Sequence, residues 1–111
     1  MGIDVNLGAG RVSHARVAGD ITIYTVDEHR QTLLTQCQDL AAMGMGVLDM
    51  DVSGVTEMDA AGLQLLVALR KHLEELNWKL RLRSPSERVR EVLEQTRLAQ
   101  DFPESNEKDG L

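Results

Sequence analysis

Alternating apolar and polar residues predict two strands within the first twenty positions. Ile3, Val5 and Leu7 alternate with polar residues, which is the period-two pattern of a half-buried strand. A glycine-rich turn at 8–10 follows, and a second alternating stretch at 12–18 predicts another strand that ends near residues 19–20. The pattern leaves open which face of this second strand points inward.

Two helices separated by a strand are predicted next. Apolar residues at helical spacing place a first helix after Thr25, with one apolar stripe formed by Val26, Leu33, Cys37, Leu40 and Ala41. Thr25 and Glu28 have the spacing of a capping box at its start. A short strand is predicted at 47–52, closed by Gly54, and a second helix at 60–76. Because the first half of this helix is apolar nearly all round, it should be covered on more than one side.

The last two predicted elements are a strand and a third helix. Residues 78–83 alternate strictly between apolar and basic side chains, as a strand with one polar face does. Ser84, Pro85 and Glu87 are typical of a helix start. The order β-β-α-β-α-β-α implies parallel crossovers with helices covering the sheet, hence an α/β fold.

Composition and charge narrow the classes of partner. The 111-residue chain fits one domain, its formal net charge is −6, and its aromatic residues are only Tyr24, Trp78 and Phe102. Such a chain repels phosphate backbones and anionic membranes and offers no platform for stacking bases. Residues 79–83 form a local basic strip within this acidic chain, and we interpret the strip as a solvated strand face. A single cysteine and no visible signal peptide favour the cytoplasm.

Residue types that carry catalysis or bind metals are present, but their spacing does not favour a site. The three histidines have no ligand spacing, and Cys37 on the first helix is expected to be a buried thiol. Asp49 and Asp51 share one face of a strand and could bind a metal, although a structural pair is the preferred interpretation. We therefore expect no enzyme activity, no metal and no cofactor.

Two motifs resemble the STAS family, the family of the anti-sigma factor antagonists. The first runs from Leu48 through Asp51-Val52-Ser53-Gly54-Val55 to Asp59-Ala60-Ala61-Gly62-Leu63, and the second is 80–86 with the following helix. The resemblance implies a STAS-like fold: a mostly parallel central sheet of four to five strands with three to four helices packed on it. We place the domain at 1–103 and expect residues 104–111 to form a flexible tail, because that segment has no apolar anchor before Leu111.

The resemblance implies a protein-binding switch, and the chain departs from it at one place. Many members are phosphorylated on a hydroxyl at the start of the second helix, where this chain has Ala60 and Ala61. Neither alanine can accept phosphate, so no phosphorylation is expected there. The hydroxyls of Ser53 and Thr56 are nearby and are interpreted as stabilising turns.

The partner surface implied by the resemblance is the loop and start of the second helix. Its residues are Asp59, Ala60, Ala61, Gly62, Leu63 and Gln64. Asp59 is also the natural N-cap of this helix, and the two roles do not exclude each other. The expected partner is an anti-sigma kinase or a chemosensory histidine kinase. The alternative is the ATPase of a bacterial lipid-transport ABC complex, and the oligomeric state is left open.

Overall fold

Three strands of six or more residues form the parallel part of the sheet. In the computed structural model, which describes residues 3–7 and 12–105 (side chains for 12–104), these strands are β2 (Val12–Ile21), β3 (Gly46–Met58) and β4 (Trp78–Arg83). Two short strands flank them: β1 (Ile3–Leu7), antiparallel to β2, and the two-residue β5 (Glu104–Ser105), parallel to β4. The hydrogen-bonded order across the sheet is β1-β2-β3-β4-β5.

Three helices connect or follow these strands. They are α1 (Val26–Ala41), α2 (Ala60–Glu75) and α3 (Glu87–Gln95), with a short 3-10 turn at Ala99–Asp101 before β5. The predicted α/β class is confirmed. The prediction of four to five strands in a mostly parallel sheet holds only in part, because the parallel core is three-stranded and the outer strands are short. Of the predicted tail, residues 104–105 form β5 and 106–111 lie outside the described residues.

The two faces of the sheet differ sharply. One face carries Ala15 and Val17 of β2, Leu48 and Met50 of β3 and Leu80 of β4, all buried in the core with α1 and α2. This settles the inward face of β2. The opposite face carries charged residues. The aliphatic core therefore lies on one side of the sheet, as period-two alternation requires.

Strand β3 is longer than predicted. The pairing of β2 with β3 shifts register between Arg16 and Ala18 and again between Gly19 and Asp20. The chain bends at these irregularities and the strand continues to Met58, so Gly54 lies within β3 and does not end it. As a result β3 leads directly into Asp59 and the start of α2.

Thr25 is the N-cap residue of α1, as predicted, but without the expected side-chain bond, and the predicted N-cap of α3 is wrong. The side chain of Thr25 makes no capping bond to α1; its hydroxyl instead donates to the Asp20 carbonyl at 2.9 Å. Helix α3 is capped by Ser86, whose Oγ accepts from the Val89 N–H at 3.3 Å, while Ser84 adopts φ 49° outside the helix. The prediction chose Ser84 because Glu87 lies three residues after it, which is the capping-box spacing, whereas the third residue after Ser86 is Val89.

Candidate functional site

The start of α2 is held by the carboxylate of Asp59. Its Oδ1 accepts from the Gly62 N–H at 3.0 Å, which is the N-cap bond that the sequence predicted. Its Oδ2 accepts from the Ile23 N–H at 2.9 Å, in the loop between β2 and α1. One carboxylate therefore fixes the helix start against a loop that is 36 residues away in sequence.

The charge on Asp59 is favoured by the same hydrogen bonds. The bond from the Ile23 N–H, with those from Gly62 and Ala61, keeps the pKa of Asp59 below its ordinary value in spite of partial desolvation. A carboxyl whose folded pKa is lowered stabilises the fold above its unfolded pKa and loses that effect as the pH falls through the folded value. The link between loop and helix therefore persists at neutral pH and weakens only in acid.

The β2–α1 loop is ordered by a second set of bonds. The Thr25 and Val26 amides donate to the Thr22 carbonyl at 2.9 and 2.8 Å, which forms a tight turn. Below it, the Asp20 carbonyl is bonded to the Thr25 hydroxyl and lies 3.1 Å from Nε2 of the buried His29. The loop is thus fixed from inside the domain as well as from Asp59.

Two large side chains project from this loop into solvent. Ile23 is 62% exposed and Tyr24 is 93% exposed. The sequence pattern does not single them out, because they lie in the unassigned segment between the strand that ends near residues 19–20 and the helix that follows Thr25. A usable indication was present: the chain's single tyrosine lies in a short segment between two predicted elements.

Some of the predicted partner-binding residues are exposed, and others are buried beneath them. Ala60 and Gln64 are exposed, Ala61 is partly buried against the core, and Gly62 and Leu63 are buried. The outward part of the helix start, beside Ile23 and Tyr24, is therefore Ala60, Ala61 and Gln64. We call these five residues the loop–helix surface.

Gly62 determines how closely α2 approaches the end of β2. A Cβ built on Gly62 would overlap the carbonyl oxygen of Ile21 and lie 3.1 Å from the Ile21 Cγ2. The neighbouring Asp59 N–H donates to that same carbonyl at 3.4 Å. Only glycine lets the helix start this close to the strand, so Gly62 supports the surface from below.

The nearby hydroxyls and charges are engaged with one another. The Thr56 hydroxyl donates to Asp20 at 3.0 Å, and the Ser53 N–H donates to Asp51 at 2.8 Å. Arg88 of α3 bonds Glu57 at 2.8 Å and thereby holds the pKa of Glu57 below its usual range. These contacts lie along the second half of β3, which leads into Asp59.

The side chains that could carry chemistry are placed as packing or charge pairs. Cys37 is buried, and burial raises the pKa of its thiol, which disfavours the reactive thiolate. Across residues 3–7 and 12–105, no group of three His, Cys, Asp or Glu side chains is arranged to hold a metal ion. The same part of the chain has no helix both long and apolar enough to cross a membrane. What the loop–helix surface offers is apolar contact and hydrogen bonding.

Three solved structures of low identity share the fold. A putative anti-sigma factor antagonist from Thermotoga maritima superposes with TM-score 0.79 at 16% identity, covering 97% of this chain and 90% of that one. An anti-sigma factor antagonist from Mycobacterium paratuberculosis gives TM-score 0.76 at 23% identity, covering 97% and 88%. Unphosphorylated SpoIIAA, a Bacillus cell fate determinant, gives TM-score 0.72 at 18% identity, covering 98% and 92%.

The family assignment comes from the sequence. A search of curated protein sequences found no match. The model of the STAS domain family, in contrast, matches residues 8–109, almost the whole chain. This protein therefore belongs to the STAS domain family.

Proposed function

We propose that this protein is a cytoplasmic regulatory module that binds a signalling protein through the loop–helix surface. The partner class we favour is a kinase-type regulator, an anti-sigma kinase or a chemosensory histidine kinase. The comparisons support this proposal because three proteins of the same fold, SpoIIAA among them, are described as anti-sigma factor antagonists, one of them as a putative one. The module has no catalytic step of its own.

The observation that carries the proposal is the exposure of Ile23 and Tyr24 on a rigid support. An isoleucine 62% exposed and a tyrosine 93% exposed lose favourable burial unless a partner covers them. Aromatic residues are enriched in protein interfaces, where they form anchors. Because the loop is already held by Asp59 and Thr25, little conformational entropy is lost when a partner docks.

The proposed module has no phosphorylation switch at the start of α2. SpoIIAA has been solved in both a phosphorylated and an unphosphorylated form. This chain has Ala60 and Ala61 where switching family members have hydroxyls, so no phosphate charge can be added at these two positions. We propose that the surface binds its partner constitutively and that any regulation acts on the partner.

Ala60→Glu should abolish partner binding while leaving the fold intact. A glutamate in the first helical turn is favoured by the helix dipole, so the melting temperature should stay close to that of the natural protein. The same charge buried under a docked partner is costly, and we expect partner recovery to fall at least ~tenfold. Ala60 is preferable to Ala61 for this test because Ala61 packs partly against the core.

The matched control is Ala68→Glu. Ala68 is an exposed alanine of the same helix, about two turns beyond Ala60. Tagged versions of the natural protein, Ala60→Glu and Ala68→Glu are expressed in the source organism, and the proteins that co-purify with each are quantified by mass spectrometry. A partner recovered equally with Ala60→Glu and with the control would contradict the proposed surface.

A further inference from the structure

The second face of the sheet carries an ordered set of charges. The residues are His14 and Arg16 on β2, Asp49 and Asp51 on β3, and Lys79, Arg81 and Arg83 on β4. His14, Arg16 and Lys79 are exposed, and Arg81 and Arg83 are partly exposed. The face is therefore open to solvent along β2 and β4. We call it the basic face.

Strand register arranges these charges in two rows across the sheet. In the first row, Asp49 lies between His14 of β2 and Arg81 of β4. In the second row, Asp51 lies between Arg16 of β2 and Arg83 of β4. In both rows a carboxylate of β3 thus lies between a β2 residue and an arginine of β4, and Asp4 of β1 lies opposite Arg16 in the second row. Burial opposes ionisation of Asp51, yet the Ser53 bond and the charges of Arg16 and Arg83 lower its pKa. Asp51 is therefore charged at neutral pH. Asp49 and Asp51 both lie against neighbouring basic side chains.

The central carboxylate of the basic face is shared unequally. Asp49 is 1% exposed, and its Oδ2 accepts from Arg83 Nη2 at 2.9 Å and Nε at 3.3 Å. Arg81 Nη2 lies 3.7 Å from the same oxygen, which is an ion pair but not a hydrogen bond. Arg81 Nε has no hydrogen-bond partner in the described part of the chain. That nitrogen is shielded from solvent, so a further acceptor can approach only the exposed part of the Arg81 side chain, which is 29% exposed.

The basic face has an excess of positive charge within an acidic protein. On this face four Lys or Arg side chains accompany the carboxylates of Asp49 and Asp51, and the register places Asp4 of β1 opposite Arg16, so cations still outnumber carboxylates although the chain as a whole has a formal charge of −6. We propose that the basic face is a second binding surface, separate from the loop–helix surface, which takes an acidic segment of a protein partner in extended conformation.

The spacing of the cations favours an extended peptide over other anions. Lys79, Arg81 and Arg83 alternate along one strand, so their side chains recur about every 6.5–7 Å. Carboxylates at alternate positions of an extended peptide recur at the same interval, so the two sets can pair one to one. A nucleic acid presents a dense phosphate charge, which the acidic remainder of the domain repels.

The test uses a fluorescein-labelled peptide of about ten residues in which Glu and Thr alternate, since carboxylates two apart share one side of a strand. We expect binding by fluorescence anisotropy at about 20 mM salt and strong weakening at about 200 mM, because the Debye length shortens. Amide shifts in an NMR titration should map to β2 and β4 around Arg16, Lys79 and Arg81. The same peptide with Gln in place of Glu should not bind.

Charge reversal gives the matched comparison. Arg16→Glu with Lys79→Glu should weaken peptide binding at least ~tenfold. Lys71→Glu with Arg97→Glu changes the net charge equally at exposed positions outside the basic face and should leave binding within about twofold. Ala60→Glu should have no effect, which separates this surface from the loop–helix surface. Absence of peptide binding, equal loss in both double variants, or shifts confined to the α2 start would overturn the proposal, as would tighter binding of a DNA duplex.

Discussion

Gly62→Ala is expected to destabilise the domain by about 2–3 kcal/mol or more. Replacing glycine by alanine inside a helix ordinarily stabilises it, by up to about 1 kcal/mol. Here the added methyl would overlap the Ile21 carbonyl oxygen, which is backbone and cannot rotate away. Helix α2 must shift, and the shift strains the Asp59 bonds to Gly62 and Ile23. The sign of the effect therefore opposes helix propensity.

Urea unfolding followed by circular dichroism measures this difference. The control is Ala61→Gly, which changes the adjacent residue in the reverse direction and should cost only about 0.5–1 kcal/mol. An unchanged or increased free energy of unfolding for Gly62→Ala would show that α2 does not start in contact with the end of β2. The loop–helix surface would then not have the geometry described.

Asp49→Asn is expected to cost about 2–3 kcal/mol of stability, because it removes the buried negative charge shared by Arg83 and Arg81. The two guanidinium groups would then face each other without that counter-charge. Their side chains are 31% and 29% exposed, so water moderates the penalty below that of a fully buried pair.

Asp51→Asn is the comparison for this effect. Asp51 lies two residues along the same strand face but is only partly buried, and its loss should cost less than about 1 kcal/mol. The two variants are compared by thermal and urea unfolding at neutral pH. Equal effects, or a stabilised Asp49→Asn protein, would show that the buried carboxylate is not what holds the charges of β4 in place.

Sequence patterns correctly predicted the elements in which core residues and solvent-exposed residues differ clearly in type. The α2 helix was placed correctly at Ala60 because Asp59 is a strong N-cap followed by an apolar run. The alternation along β4 and the shared face of Asp49 and Asp51 were equally direct. In each case the residues of the element itself indicate where it starts or which face each residue lies on, so no knowledge of distant contacts was needed.

Features that depend on distant contacts were missed. The link from Asp59 to Ile23 joins segments 36 residues apart, and nothing near either residue indicates it. Without that link, Ile23 and Tyr24 are two residues of a short unassigned segment, and nothing connects them with the start of α2. The continuation of β3 beyond Gly54 depends on its register with β2, which local periodicity does not contain.

Site-specific photo-crosslinking in living cells of the source organism tests the central claim most directly. A benzophenone amino acid replaces Tyr24, and in a control protein it replaces the exposed Lys71 on α2. The account predicts a covalent adduct with one protein at position 24, absent at position 71 and lost when Ala60→Glu is added. A kinase or chemosensory protein in the adduct would support the favoured partner class, and a transport ATPase would replace it with the alternative. Absence of an adduct at position 24, or the same adduct at both positions, would contradict the claim that the loop–helix surface binds a protein partner.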